Sequence, residues 1–328
     1  MRTTRILGVL AGTAAIALAT LTVAAPAAAA TLPPGQKISV IDQREFDFDS
    51  QQYNASPSNA VSTAVGAPVA GYDNVPAIDV NDDGLGYALA TVDPGEGLEH
   101  PVLLKADANT GTLTDPIVVV YSGPFDVTLT ECKGIDVSAS GELIATCNDV
   151  SDGFVAGFVG VIDPLSGAFT SFLDGDAAID AVAVDPATNA IWCFFHHVGG
   201  SFASAVNRGE NSTSVPINVG QPIFGADFDR NGQLWVTTRI PGTDPEISLS
   251  ALATLTLVDG STPAVVGPFV ANNTALIDVA AITVWGKLAA TGSTTGTEAL
   301  PVALGSALLL LAGAAFVATA RMGRRRTA

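Results

Sequence analysis

Basic residues are scarce. The 328-residue chain has 14 Lys and Arg against 32 Asp and Glu, a net charge of −18. A surface of that sign repels phosphate backbones and excludes nucleic acid as a partner. Histidine is scarcer still, with three in all. His100 falls in a loop, and the adjacent His196 and His197 would point to opposite faces of a strand, a poor chelating pair. The chain has no G-x-S-x-G elbow, phosphate-binding loop, dinucleotide fingerprint or H-E-x-x-H pair, so it carries no signature of those enzyme classes. Helical periodicity is missing too. Between residues 31 and 287 no segment sustains apolar residues at helical spacing, and short alternating runs cut by Gly, Asp, Asn and Pro read as all-β.

Both ends carry the long apolar runs that the middle lacks. Arg2 and Arg5 precede an apolar stretch over residues 6–25, then Pro26 and a string of alanines. This is the layout of a secretory signal peptide, with cleavage expected after Ala30. An uncleaved membrane anchor suits Pro26 and the alanines less well. No cysteine lies near the cut, which argues against a lipid-anchored precursor. At the other end come Leu288, Ala289, Ala290, Thr291 and Gly292, a polar spacer to residue 298, an apolar run over 299–320 and the basic tail 321–328. At ~1.5 Å per residue the 22 apolar residues reach about 33 Å, enough to span a ~30 Å hydrocarbon core. The arginines would stay in the cytoplasm.

This ending resembles the cell-wall sorting signal of Gram-positive surface proteins, in which a Leu-Pro-X-Thr-Gly pentapeptide precedes a span and a basic tail. Ala289 stands at the proline position, and the Leu-Ala-X-Thr-Gly form resembles the variant read by class E sortases of high-GC Gram-positive bacteria. The resemblance covers only the last 41 residues. It implies that a sortase attacks the Thr291 carbonyl, releases Gly292 onward and passes Thr291 to a peptidoglycan amine. The membrane would be occupied only transiently, through 299–320, and the protein would end secreted and fixed to the cell wall. The alternative is a plain C-terminal membrane anchor. Trimmed at both ends, residues 31–291 hold eight basic and 31 acidic residues, a net charge of −23. Such a surface favours solubility.

The middle, residues 31–287, repeats. Asp79-x-Asn81-x-Asp83-Gly84, Asp136-x-Ser138-x-Ser140-Gly141, Ala183-x-Asp185 and Asp227-x-Asp229-x-Asn231-Gly232 each follow an apolar run and precede a second one, at 87–92, 143–147, 191–195 and 234–238. A fifth copy, Ile277-Asp278-Val279, runs into 282–285. Positions 79, 136, 183, 227 and 278 are 57, 47, 44 and 51 residues apart. A period near 50 with several strands per unit marks a β-propeller. Further strands at 102–106 and 117–121 complete the first unit, and those at 158–162 and 168–172 complete the second. Asp107-x-x-Thr110-Gly111 and Asp163-x-x-Ser166-Gly167 form matching third turns. The last copy has room for two strands, so its outer strands are expected from 37–48 and 60–69, closing the ring with both chain ends. Five blades are predicted, or six if 36–75 forms a blade alone; a pair of β-sandwiches is the other architecture weighed. The texture resembles NHL, YVTN and lactonase-type propellers at the level of these hairpins.

In the second hairpin a turn at Ala139-Ser140 sets Cys132 opposite Cys147, close enough for a disulfide, which an oxidising exterior permits. Cys193 reads as a buried apolar residue. Two acid patterns could carry chemistry. Asp79, Asn81 and Asp83, and likewise Asp227, Asp229 and Asn231, match the first half of a calcium loop, but position 12 is Ala90 or Thr238 rather than a bidentate acid. The same residues are those a tight hairpin demands, and that reading is preferred. Asp79, Asp136, Asp227 and Asp278 share one place in the innermost strand and would converge near the axis of a closed ring. There they would raise one another's pKa values or recruit a cation, unless each bonds the backbone within its own blade. The leading expectation is a non-catalytic, wall-anchored propeller that binds an extracellular ligand and needs no cofactor. The alternative is a metal-dependent hydrolase of the lactonase type using the channel aspartates.

Overall fold

The repeats are blades. The computed structural model describes residues 31–44, 49–72, 74–92, 100–123, 127–150, 155–197, 200–209, 212–241 and 248–287. Its regular elements are all strands. Five larger sheets, antiparallel but for one short edge pair, have inner strands that each contact the inner strands of the two neighbouring blades, a closed five-bladed β-propeller. Val270–Ala271 with Thr274–Ala275 forms a separate two-stranded pair. Blade 1 comprises Asn74–Val80, Leu85–Val92, His100–Asp107 and Thr112–Val118. Blade 2 comprises Glu131–Val137, Leu143–Asp149, Ala156–Ile162 and Ala168–Gly175. Blade 3 runs from Ile179–Val184 through Ile191–His197 and Gly200–Asn207 to the short outer pieces Ser212–Thr213 and Ile217–Asn218. Blade 4 comprises Ile223–Phe228, Leu234–Pro241, Ser248–Leu255 and Ala264–Pro268.

Blade 5 joins the two ends of the domain. Its inner strand is Val279–Trp285, and Lys37–Arg44, Asp49–Ala55 and Ser62–Ala64 follow outward, with Val69–Ala70 also on the third strand. Residues 36–75 therefore complete a blade rather than forming a sixth. Two expectations need correction. The last copy supplies one strand, not two, because Lys37–Arg44 takes the second position against it. Residues 117–121 do not all belong to blade 1, since Val120 and Tyr121 cross over to pair in parallel with Ala168 and Phe169 of blade 2.

Both faces of each sheet are covered, which explains the nearly unbroken apolar inner strands. Five buried clusters result, one per seam between neighbouring blades. Toward the axis the sheets converge, and each inner strand presents a small residue there: Ala77, Gly134, Ala181, Gly225 and Ala281. The reason is space. A Cβ on Gly134 would lie 2.6 Å from the Val182 backbone nitrogen of blade 3, and one on Gly225 would lie 1.9 Å from the Ala280 carbonyl oxygen of blade 5. In all five blades the pairing of inner and second strands shifts register near this ring, at a bulge that sharpens the local twist. The expected signal peptide (1–30) and the sorting motif, span and tail (288–328) lie outside the described residues. Among the described residues no helix is long and apolar enough to cross a membrane.

Candidate functional site: an acid-floored cup on the axis

At one end the inner strands turn outward, and the first hairpin turns, with Gly84, Gly141 and Gly232 at φ near +80°, surround a cup of about 850 Å³. Positive φ is the conformation that only glycine adopts without strain. The walls include Leu85, Tyr87, Pro164 and Pro186, and the floor holds Asp79, Asp136 and Asp227. Beneath that floor a void of only about 10 Å³, lined by Ala77, Gly134, Ala181 and Gly225 among others, leaves room for no more than one water. The ring of small residues thus closes the axis, and the cup is a dead end.

Three of the four predicted channel acids meet here. Each carboxylate accepts a backbone N–H from the next blade: Val137 donates to Asp79 Oδ2 at 2.8 Å, Val184 to Asp136 Oδ2 at 2.6 Å and Val284 to Asp227 Oδ2 at 2.5 Å. These N–H groups lie on the inner edge of a sheet, where no further strand satisfies them, so a side chain must. The aspartates do bond backbone, the alternative weighed against a cation-recruiting cluster, but across the seam rather than within their own blade. Asp278 is not the fourth. The counterpart of Asp79 in blade 5 is Thr283, whose Oγ1 donates to Asp79 Oδ1 at 3.2 Å and accepts the Val80 N–H at 3.4 Å. Asp278 lies at the other end of that strand, 3.2 Å from Arg239 Nη2. The fifth position is Ala183, which has no acceptor to offer.

The three carboxyls are at most 8% exposed and face one another. Burial raises Asp79 to about 6, against the lowering pull of the Val137 N–H and the Thr283 hydroxyl. Burial, then the charges of Asp79 and Asp227, lifts Asp136 well above the ordinary carboxylate range. Burial and then Asp79 do the same to Asp227. Such a group stores protons and holds seams together. One oxygen of each carboxyl is bonded across a seam, and among the described residues no set of three or more His, Cys, Asp or Glu is placed to hold a metal ion.

The calcium-loop residues disperse. Asp79 and Asp227 turn to the axis, while Asn81 Oδ1 caps its own turn by accepting the Asp83 and Leu85 N–H groups. Asp229 does the same for Asn231 and Gln233, and its Oδ2 accepts the indole N–H of Trp235. On the rim, Asp83 pairs with Lys287 at 2.6 Å and Asp82 with Arg230.

At the opposite end of the axis is a polar cluster that sequence patterns did not reveal. Lys133 Nζ lies 3.0 Å from Glu131 Oε1 and 3.5 Å from Asp180 Oδ1, and Asp180 Oδ2 is 2.6 Å from His196 Nδ1. Only three-dimensional pairing of blades 2 and 3 brings these residues together. His100 opens a strand rather than lying in a loop. Cys132 and Cys147 form the predicted disulfide, with Cα atoms 3.9 Å apart. The turn-based register is one residue off beyond Gly134, where Asp136 faces Ile144, and the bulge at Lys133 restores the cysteine pair. Cys193 is buried, and burial pushes its thiol up to about 12.

No family model and no curated protein sequence matches the chain. Among solved structures it is similar to the Dos1 propeller, at 14% identity over 66% of this chain and 52% of that one, with a TM-score of 0.35; it thus spans about half of that protein. It is also similar to an endo-arabinase from Bacteroides thetaiotaomicron, at 10% identity over 70% and 97% of the two chains, with a TM-score of 0.45. A third similarity is to the periplasmic gluconolactonase of Pseudomonas aeruginosa, at 13% identity over 68% of each chain, with a TM-score of 0.37.

Proposed function

We propose that the propeller is the displayed part of an exported protein, joined to peptidoglycan through Thr291 by a sortase, and that it works by binding an extracellular ligand rather than by catalysis. The observation that carries the non-catalytic part is the use of the floor acids. Asp79, Asp136 and Asp227 each give an oxygen to a neighbouring blade, so their positions are accounted for by ring closure. The anchoring part is supported by the pentapeptide, apolar run and arginines in their order. Thr291→Ala should move the protein from the purified wall fraction into the membrane fraction, and unchanged wall attachment defeats the reading.

One observation favours the alternative, a metal-dependent hydrolase of the lactonase type: three buried carboxyls converge at the bottom of a cup large enough for a small ligand. Elemental analysis of protein released from walls separates the two. Tightly held, stoichiometric metal that Asp136→Asn abolishes supports the hydrolase; none, or loosely held calcium, supports the binder.

A further inference from the structure

We infer that the cup takes a small extracellular molecule bearing a primary ammonium on an apolar body, with the ammonium seated on Asp79, Asp136 and Asp227. The inference rests on the ligand-binding reading proposed above and names the chemical class of the ligand; it does not depend on wall attachment.

The floor is short of donors. Four hydrogen bonds reach the six oxygens of its three carboxyls, from the N–H groups of Val137, Val184 and Val284 and from the Thr283 hydroxyl. Asp136 Oδ1 and Asp227 Oδ1 receive none of them. The donors beside them are committed elsewhere, since the Val137 N–H and the Thr283 hydroxyl both go to Asp79. Ring closure uses only Oδ2 of Asp136 and of Asp227, so it does not account for the second oxygens. Both side chains line the cup at 6% and 8% exposure. Acceptors so buried, and facing a cavity, call for a donor brought from outside.

Charge selects that donor. Arg230, on the cup wall, pairs with Asp82, and Lys287 at the rim pairs with Asp83. Neither is left to neutralise the floor, so the cup attracts cations and repels carboxylates and phosphates. A metal ion is a poor match, because the described acids are not placed to coordinate one. An ammonium is a better one. Its three N–H groups point in three directions, and blades 1, 2 and 4 set the carboxyls around the axis; a guanidinium instead presents a planar fork suited to a single carboxylate. Above the floor, Leu85, Pro164, Pro186 and the ring of Tyr87 offer apolar surface to a hydrocarbon body. The closed floor and a volume of about 850 Å³ suit a small molecule.

Binding exchanges protons. The titratable and charged groups around the cup are the three floor acids, the Tyr87 hydroxyl and the Asp82–Arg230 and Asp83–Lys287 pairs. Burial and mutual repulsion keep protons on the floor acids. A seated ammonium takes their place, so protons are released and affinity rises with pH.

Full-length protein in non-ionic detergent is titrated calorimetrically with pentylamine, which stays charged to about pH 10, at a salt concentration that screens the acidic surface. The expected result is one saturable site per chain, tighter near pH 8 than near pH 6, with protons released, as read from buffers of different ionisation enthalpy. Asp136→Asn should weaken binding about tenfold or more, with melting curves confirming that the variant folds. Pentyltrimethylammonium, charged but without an N–H, and pentanol, without charge, should each bind about tenfold more weakly than pentylamine. Pentylguanidine binding as tightly as pentylamine overturns the choice of ammonium. Binding without proton release overturns the seat on the floor acids. No saturable binding, or binding that Asp136→Asn and the trimethyl analogue leave unchanged, overturns the ligand class and leaves the non-catalytic reading standing. Stoichiometric metal that Asp136→Asn abolishes overturns both.

Discussion

Two seams of the ring solve one problem differently. Between blades 2 and 3, Asp136 accepts the Val184 N–H, and Asn148 meets Ile179 through both its oxygen and its nitrogen. Asn189 caps the Ala139 N–H, and Arg208 reaches back to Glu142 at 2.7 Å. Between blades 3 and 4 the corresponding inner residue is Ala183, and the seam is held by an apolar cluster that includes Phe194, Ala203, Ile223 and Phe228. The difference teaches why the acid series has a gap. Every added carboxyl satisfies an edge N–H but faces the other carboxyls at low dielectric, where like charges repel strongly. Three acids, one threonine and one alanine are a compromise between capping and repulsion.

The largest effect should come from crowding the polar seam at its narrowest point. Gly134→Val brings a Cβ within 2.6 Å of the Val182 nitrogen and 2.7 Å of Thr146 Oγ1 and should cost about 3 kcal/mol. Urea unfolding measures it, and a cost below about 1 kcal/mol would show that the blades are loosely seated. Next, Cys132→Ala with Cys147→Ala removes a bridge spanning 15 residues and should lower stability by up to about 3 kcal/mol. Asp136→Ala leaves a buried N–H without an acceptor and should cost about 1–3 kcal/mol at acidic pH. Asp136→Asn keeps an oxygen there and should cost less; equal losses in the two variants would mean that the hydrogen bond is not what matters.

The dependence on pH is the subtlest to assign, and its sign follows from the raised pKa values. Asp79, Asp136 and Asp227 bind protons more tightly folded than unfolded. Their contribution is complete below an unfolded pKa of about 3.9 and is lost as pH rises through about 6 for Asp79 and through the raised pKa values of Asp136 and Asp227. The protein should melt at a higher temperature near pH 5 than near pH 8, and Asp136→Asn should shrink the gap. A gap of the same size in that variant would assign the dependence to the acidic surface. Ala183→Asp should widen it by adding a fourth charge to the cluster.

Much of this was legible in the sequence because hairpin turns carry their own chemistry. The Asp or Asn and Gly spacing at 81–84 and 229–232 is dictated by local hydrogen bonds, so the repeats and the blade number could be counted. What depended on partners far along the chain was less visible. Ile277-Asp278-Val279 imitates Ile78-Asp79-Val80, yet Ile282-Thr283-Val284 is the true counterpart, and only pairing with Lys37–Arg44 decides between them. Asp49–Ala55, with the sequence Asp-Ser-Gln-Gln-Tyr-Asn-Ala, does not alternate as a strand should. Gln51 and Gln52 are buried because their amides reach the carbonyls of Val65 and Ala108. The acids at the axis were found by their repetition; the ring of small residues above the far-side cluster went unnoticed because alanine and glycine are common throughout the chain.

The composite blade has a consequence for how the protein is made. Lys37 is made 248 residues before its partner Trp285, so the first strand to arrive waits with an open edge while blades 1 to 4 are made. Blades 1 to 4 can assemble in order from neighbours in sequence, whereas the final blade depends on the longest-range strand pairing among the described residues and should form last. Ring closure therefore also reports that the chain has arrived as far as Trp285.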